Sequence, residues 1–284
     1  MSIKLVASDI DGTIIDKNNN ISAKNFEAVN KIRSKNICFA LCTGKSYAVS
    51  KKICEELHAT YGIFGNGTQI IDLKTGEEIF RKAIPKKDLL FIITLAKRYN
   101  FHIHIYTDTE IISEKLKYMD LRNYILKSQY ANDTLKFKIV NNILNYVEKN
   151  DINALSIVIT TETTSLNNFK KLLNIDKDID SVFINKRGIY RDNIINKDYE
   201  YLNISPINVN KNEALTYLAN FLNINKKDIL AVGDNVNDLE MIQNAGIGVA
   251  VNESYNDLKN VAKYVTNSTA TNGAFAEAIF KFIK

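Results

Sequence analysis

The chain is poor in the residues that interrupt or staple a fold. Two prolines, Pro85 and Pro206, and eleven glycines among 284 residues leave little room for a disordered linker. Its three cysteines, Cys38, Cys42 and Cys54, are odd in number and sit in apolar or helical contexts. They read as small buried side chains and not as a disulfide framework or a metal site. No apolar run is long. The longest, Leu89 to Ala96, is far too short to span a bilayer, and the first twelve residues lack the apolar core of a signal peptide. A reducing cytoplasm is therefore the expected location. Charge of one sign is also scarce: the formal net charge is +5, with a pI near 8.8. The densest basic cluster is Pro85-Lys86-Lys87-Asp88. Dedicated nucleic-acid binders carry a clustered basic face, so neither nucleic acid nor membrane is an expected partner, while a small anionic substrate is compatible with the charge.

What is present is material for burial. Hydrophobic residues make up 45% of the chain, enough for one large core or two modest ones. Ile3 to Ala7 reads as a buried strand running into the acidic turn Ser8-Asp9-Ile10-Asp11-Gly12-Thr13. Ser22 is positioned to cap a helix whose apolar stripe is Phe26, Val29 and Ile32. Strand and helix then alternate: Ile37 to Cys42, a helix with Val49, Ile53 and Leu57, and Tyr61 to Phe64 ending at Gly65-Asn66-Gly67. That alternation favours a parallel sheet covered on both faces. The period changes at a hairpin around Lys74-Thr75-Gly76, and the following segment mixes amphipathic helices with strands such as Phe101 to Tyr106. After Pro206 the alternation resumes, with Ile229 to Val232 leading into Gly233-Asp234-Asn235-Val236-Asn237-Asp238. The fold class expected is α/β, a Rossmann-like doubly wound parallel sheet split by an inserted α+β domain. The core is expected at 1–82 and 191–284 and the insertion at 83–190.

Three polar turns close parallel strands at their C-terminal ends, the edge where open α/β sheets bind ligands. Asp9 and Asp11, two apart, are expected to aim to one side if the strand backbone continues through them. Asp234 and Asp238 leave another strand end, with Asn237 the expected helix cap. Four carboxylates at one edge repel one another, and magnesium, which prefers hard oxygen ligands, is the natural remedy. Thr43-Gly44 offers a hydroxyl and backbone N–H groups, and Lys211 an ammonium, for phosphoryl oxygens. Phosphoryl transfer needs little beyond a nucleophile, in-line geometry and charge neutralisation. Each turn alone reads as a surface turn; their joint occurrence in this order points to a site.

Two other patterns carry metal-ligand residue types. Asp16, Asn18, Asn20 and Glu27 match part of a calcium-loop spacing, but Ile21 occupies the glycine position and a strand precedes it, so calcium is not expected there. His102, His104 and Tyr106 alternate with Phe101, Ile103 and Ile105, giving one apolar and one polar face. A His-x-His pair without an evident third ligand reads as a half-exposed strand whose polar face could touch substrate.

With these turns assembled, the chain resembles the haloacid dehalogenase-like hydrolases, in particular the Cof-like sugar-phosphatase branch with a large α/β cap. The resemblance covers essentially the whole length. It rests on Asp9-Ile10-Asp11-Gly12-Thr13, Thr43-Gly44-Lys45, Gly65-Asn66-Gly67, Lys211, the Gly233–Asp238 turn and the tail from Ala245 to Gly273. It implies a phosphatase with Asp9 as nucleophile and Asp11 as general acid and base. It also implies Mg2+ held by Asp9, the Asp11 carbonyl and Asp234, and a phosphoryl group held by Thr43, Gly44, Lys45, Asn66, Lys211 and Asn237. Thr13 and Asp238 would stand behind these groups. Lys45 departs from the arginine usual in the branch, and Asn212 from a common glycine, so bidentate contact at position 45 is lost. The expected partner is a small phosphorylated metabolite, the expected state a monomer or homodimer. A phosphomutase, a flavin or pyridoxal phosphate phosphatase, and a metabolite sensor that lost turnover are the competing readings.

Overall fold

The computed structural model describes residues 2–18, 20–115, 136–161, 166–173, 179–186 and 199–284. The chain divides into two compact units, one built from residues up to Arg81 and from Asn210 onward, the other beginning at Lys82 and ending at Val209. The expected return to the core at 190–191 lies outside the described residues.

The first unit is organised by an eight-stranded sheet. In chain order its strands are β1 (Leu5–Ser8), β2 (Cys38–Cys42), β3 (Tyr61–Phe64), β4 (Gln69–Asp72) and β5 (Glu78–Arg81). The second unit contributes β6 (His102–Tyr106), β7 (Glu110–Ser113), β8 (Lys136–Ile139), β9 (Ser156–Thr161), β10 (Ile179–Lys186) and β11 (Tyr199–Pro206). Back in the first unit come β12 (Ile229–Gly233), β13 (Ile247–Ala250) and β14 (Tyr264–Val265). The order across the first sheet is β14-β13-β12-β1-β2-β3-β4-β5, with β4 and β5 antiparallel and the rest parallel.

Period-two alternation sends the side chains of each central strand to two different cores. Val6 of β1, with Leu230 and Val232 of β12, packs against the helices Ala23–Ser34, Tyr47–Glu56 and Ala274–Phe282. Leu5 and Ala7, with Ile229 and Ala231, pack on the other face against helices Lys211–Phe221, Leu239–Asn244 and Asn256–Val261. This is a doubly wound α/β sheet. From β1 the chain winds one way through β2 and β3, and from β12 the other way through β13 and β14. The order therefore reverses between β1 and β12, and that switch point opens a crevice at the strands' C-terminal ends.

Local chemistry matches the elements. Ser22 caps the first helix, its Oγ accepting from the Asn25 N–H at 3.2 Å. Asn25 is fully buried and satisfied. Its Nδ2 donates to the Ile14 carbonyl at 2.8 Å, and its Oδ1 accepts from the Ala276 N–H at 3.1 Å. One side chain thus ties the loop after β1 to the first turn of the C-terminal helix, whose N–H groups have no intrahelical acceptor.

The second unit carries a six-stranded sheet, β10-β11-β9-β6-β7-β8, antiparallel except between β7 and β8. Ile103, Ile105, Ile157 and Ile159 face a core shared with helices Lys86–Arg98, Ile143–Lys149 and Leu166–Leu173. Strand β11 lies inside this sheet between β10 and β9, which is why the first unit resumes only at Asn210. Cys42 and Cys54 are buried, Cys38 is half-buried, and all three are free thiols. No helix among the described residues is long and apolar enough to cross a membrane.

Candidate active site

Four strand ends meet at the switch point: Asp9 follows β1, Thr43 follows β2, Gly65 follows β3 and Asp234 follows β12. The centre of the arrangement is Lys211, the first residue of its helix and only 1% exposed. Its Nζ donates to Asp9 Oδ1 and to Asp238 Oδ1, both at 2.6 Å. Charge-assisted contacts this short in a buried place are strong and directional. Burial disfavours the ammonium, but the carboxylates of Asp238 and Asp9 outweigh it and hold the Lys211 pKa above the usual lysine value.

Asp238 is saturated. While Oδ1 takes Lys211, Oδ2 accepts the backbone N–H groups of Asp234 at 3.1 Å and Asn235 at 3.0 Å. Its side chain folds back over Gly233, where any Cβ would lie 2.6 Å from that of Asp238. The turn is capped by Asn235, whose Oδ1 accepts from the Val236 N–H while Asp238 reciprocates. The expected cap, Asn237, is displaced from that role because the short helical turn begins two residues earlier than such a cap requires, at Val236. Asn237 is exposed and donates from Nδ2 to Asn66 Oδ1 at 2.9 Å, joining two of the turns.

Asp234 receives Thr13 Oγ1 at 3.1 Å and sits close over Gly12. A Cβ on Gly12 would lie 2.4 Å from Asp234 Oδ2, and the residue has φ +83, so glycine is required twice over. The same turn redirects Asp11. Strand β1 ends at Ser8, so the period-two argument stops before the second aspartate, and Asp11 does not join Asp9. Its carboxylate instead pairs with Lys45 Nζ at 2.7 Å, on the more exposed side of the site. Sequence reasoning missed this pair, as it did Asn235; the departure at position 45 was its one visible signal.

Thr43 is 1% exposed, and its Oγ1 accepts the Lys45 N–H at 3.1 Å. The Asn66 N–H donates to the Thr43 carbonyl at 3.0 Å and the Gly65 N–H to that of Lys45 at 2.9 Å, so the second and third turns are stitched together. Asn66 adopts φ +57, which holds its side chain beside Gly44. His102, His104 and Tyr106 belong to β6 in the second unit. The expectation of a half-exposed strand fails at His104, which is 4% exposed, and holds for its neighbours on that face, His102 and Tyr106, which are half-buried. The alternative calcium loop is closed locally, Asp16 Oδ1 accepting the N–H groups of Asn18 and Asn20 at 2.8 and 2.9 Å.

Ligand atoms of Asp9, Asp234 and Asp238 lie within 4.8 Å of one another. Burial lifts the Asp9 pKa; Lys211 lowers it, Asp238, Asp234 and Asp11 raise it again, and the balance stays well above the ordinary value. Asp234 is pushed up to about 6, by burial first and by Asp238 second. One ammonium among three clustered carboxylates leaves uncompensated negative charge in a low-dielectric place. An all-oxygen donor set of this kind fits a hard divalent cation such as Mg2+. Because Asp238 is filled, Asp9 and Asp234 are the side chains with oxygens to offer.

A doubly wound core with a buried aspartate–lysine–aspartate bridge at its switch point defines an α/β protein with a split core and an acidic, lysine-bridged site. The comparisons with known proteins narrow this. The family described as haloacid dehalogenase-like hydrolase matches residues 6–279, and the chain belongs to that family. A Streptococcus pyogenes protein is 28% identical over 296 residues, covering 100% of this chain and 99% of the relative. A Bacillus subtilis protein named 5-amino-6-(5-phospho-D-ribitylamino)uracil phosphatase is 27% identical, covering 95% of each chain. Among solved structures, a haloacid dehalogenase-like hydrolase from Bacteroides thetaiotaomicron superposes with TM-score 0.80 at 23% identity, covering 99% of this chain and 100% of that one. A subclass IIB sugar phosphatase does so with TM-score 0.75 at 16% identity, with 98% of each chain covered. These two structures share the fold.

Proposed function

We propose that this chain is a magnesium-dependent phosphatase for small phosphomonoesters, sugar phosphates foremost, working through an aspartyl-phosphate on Asp9. The observation that carries the reading is the buried Lys211 ammonium bridging Asp9 and Asp238 beside Asp234. Asp9 Oδ2 is the attacking atom, since Oδ1 is held by Lys211. It forms a bond to phosphorus as the ester oxygen leaves, and Asp11 supplies the proton that oxygen needs. Asp11 then takes a proton from a water molecule, which attacks the same phosphorus and frees Asp9 and inorganic phosphate. To reach the leaving oxygen, the Asp11 carboxyl has to release Lys45, so the pair acts as a brake on proton transfer.

Lys211 opposes the rise that burial gives the Asp9 pKa and aims the carboxylate, and Asp238 keeps Lys211 in place. Thr43, Gly44, Lys45, Asn66 and Asn237 line the turns that would receive the phosphoryl oxygens. Mg2+ would be held by Asp9, Asp234 and the Asp11 carbonyl, and when bound it supplies charge neutralisation for the phosphoryl group.

The test is phosphate release from a panel of sugar phosphates, flavin mononucleotide, pyridoxal phosphate and the phosphoribitylaminouracil named for the Bacillus relative. It is run with Mg2+ and with chelator, using wild type and Asp9→Asn. Magnesium-dependent release that disappears in the variant is expected. Release that survives Asp9→Asn, or none from any compound by folded protein, would overturn the reading.

A further inference from the structure

An open cleft of about 430 Å3 runs along the helix Tyr47–Glu56, wholly within the first unit. Its floor is apolar: Cys54 belongs to the core on that face of the sheet, and Ala59 and Leu73 pack against it. Thr60 precedes β3 and Lys74 follows the antiparallel β4, so this end of the cleft lies at the strand edge opposite Asp9 and Asp234. The walls are rich in donors and poor in acceptors. Arg33, Lys51, His58 and Lys74 line them against a single carboxylate, Glu55, which Lys51 pairs at 3.9 Å. Among the described residues nothing pairs with the Arg33 guanidinium or the Lys74 ammonium, and nothing hydrogen-bonds the Tyr47 hydroxyl. The Thr60 hydroxyl accepts the Phe39 N–H at 3.2 Å and keeps its own proton to donate.

Cations near helix C-termini often serve only to offset the helix dipole. Here the helix ends at the cleft are closed by backbone groups. After the first helix, the Asn36 N–H donates to the Arg33 carbonyl at 3.0 Å and the Ile37 N–H to that of Ile32 at 3.2 Å. After the second, His58 and Ala59 do the same to Glu55 and Cys54 at 3.1 and 3.0 Å. The cationic heads are therefore left to the cleft.

We propose that this cleft binds a small organic anion with a flat apolar body, of the aryl phosphate or aryl sulfonate class. Its volume falls within the range of about 300–1,000 Å3 usual for small-molecule sites. The floor of Cys54, Ala59 and Leu73 takes the ring system, while Arg33, Lys74, Tyr47 and Thr60 offer donors to the anionic group. Burial, then Cys54 and Glu55, holds the Tyr47 pKa above its ordinary value, so the phenol remains an O–H donor. The proposal does not depend on the phosphatase reading, because none of these residues belongs to the aspartate cluster.

The experiment titrates the full chain, in chelator, with the fluorescent anion anilinonaphthalene sulfonate and in parallel with phenylnaphthylamine, its counterpart without the sulfonate. One saturable site is expected for the anion, with the neutral compound bound roughly fivefold or more weakly, the scale of two exposed charge contacts. Arg33→Gln combined with Lys74→Gln should weaken the anion by a similar factor and leave the neutral compound unchanged. Both positions are exposed, so the fold is expected to survive. Amide nuclear magnetic resonance spectra of the unaltered chain give an independent reading, with Lys51, Glu55, His58, Thr60 and Lys74 expected to shift on saturation. No saturable binding, equal binding of the two compounds, or a double variant that binds the anion like wild type would overturn the proposal. So would amide shifts that spare these residues and fall on the turns of Asp9, Thr43 and Asp234, which would place the anion in the candidate active site.

Discussion

Replacing Lys211 by methionine isolates the charge at the centre of the site. Methionine keeps the unbranched apolar stem of the 1%-exposed side chain and removes the ammonium from two 2.6 Å ion pairs. Asp9 and Asp238 then lose the ammonium they share beside Asp234. Removing one partner of a buried pair costs about 3–5 kcal/mol, because the remaining charge is stranded. For a chain of this size each kcal/mol shifts the melting temperature by roughly 2–3 °C, so a fall of about 6–15 °C is expected in chelator. The deficit should also depend on pH with a definite sign. Asp234 already has a folded pKa raised from 3.8 to about 6, and Asp9 is raised as well. A group raised on folding contributes stability below its unfolded pKa, and that contribution is lost as pH rises through its folded pKa. Losing Lys211 raises both further, so the variant's deficit should be largest well above pH 6 and shrink as pH falls through the variant's raised values toward the wild-type ones. Differential scanning calorimetry at several pH values, with and without Mg2+, is the assay. Adding Asp238→Asn to Lys211→Met should restore part of the loss. A melting temperature unchanged within about 2 °C, or a deficit that does not shrink in acid, would refute the account of Lys211 as the internal countercharge of Asp9 and Asp238.

Three further outcomes follow from the structure. Asn25→Ala strands the Ile14 carbonyl and the Ala276 N–H, and should cost about 2–3 kcal/mol, read as a lower urea midpoint with an unchanged slope. Gly12→Ala places a Cβ 2.4 Å from Asp234 Oδ2 at a positive φ, so it should weaken Mg2+ affinity and turnover together; unchanged magnesium titration would contradict the crowding. Burial alone would raise Glu277, but the Tyr264 hydroxyl and the N–H groups of Asn267 and Ser268 hold it down to about 2. Its stabilisation is therefore complete above about 4.5 and lost as pH falls toward 2. Glu277→Gln should be less stable at pH 7, by about 1 kcal/mol after allowance for its partial exposure, and converge with wild type in acid; a gap independent of pH would refute this.

Much of the site was legible in the sequence because strand ends announce themselves. Apolar runs that stop at Asp9, Thr43, Gly65 and Asp234 identify parallel strands and the edge they share, and a buried sheet leaves no other place for such turns. The Ser22 cap and the hairpin around Gly76 were readable for the same local reason: their chemistry lies within a few residues. What tertiary structure decided is which charges meet. Lys211 reaches Asp9 across 202 residues of sequence, a contact that periodicity does not encode, although family resemblance places the lysine in the site. That Asp238 is saturated by two backbone N–H groups and one ammonium depends on how Gly233 lets the chain fold back. That Asp11 turns from Asp9 to Lys45 depends on β1 ending at Ser8 and on the positive φ of Gly12. His104 likewise reads as half-exposed in a period-two pattern and is buried in the packed structure, while His102 and Tyr106 on the same face stay half-buried. Short-range patterns set each strand, cap and turn through local geometry; the pairing of buried charges is long-range, and the packed fold alone determines it.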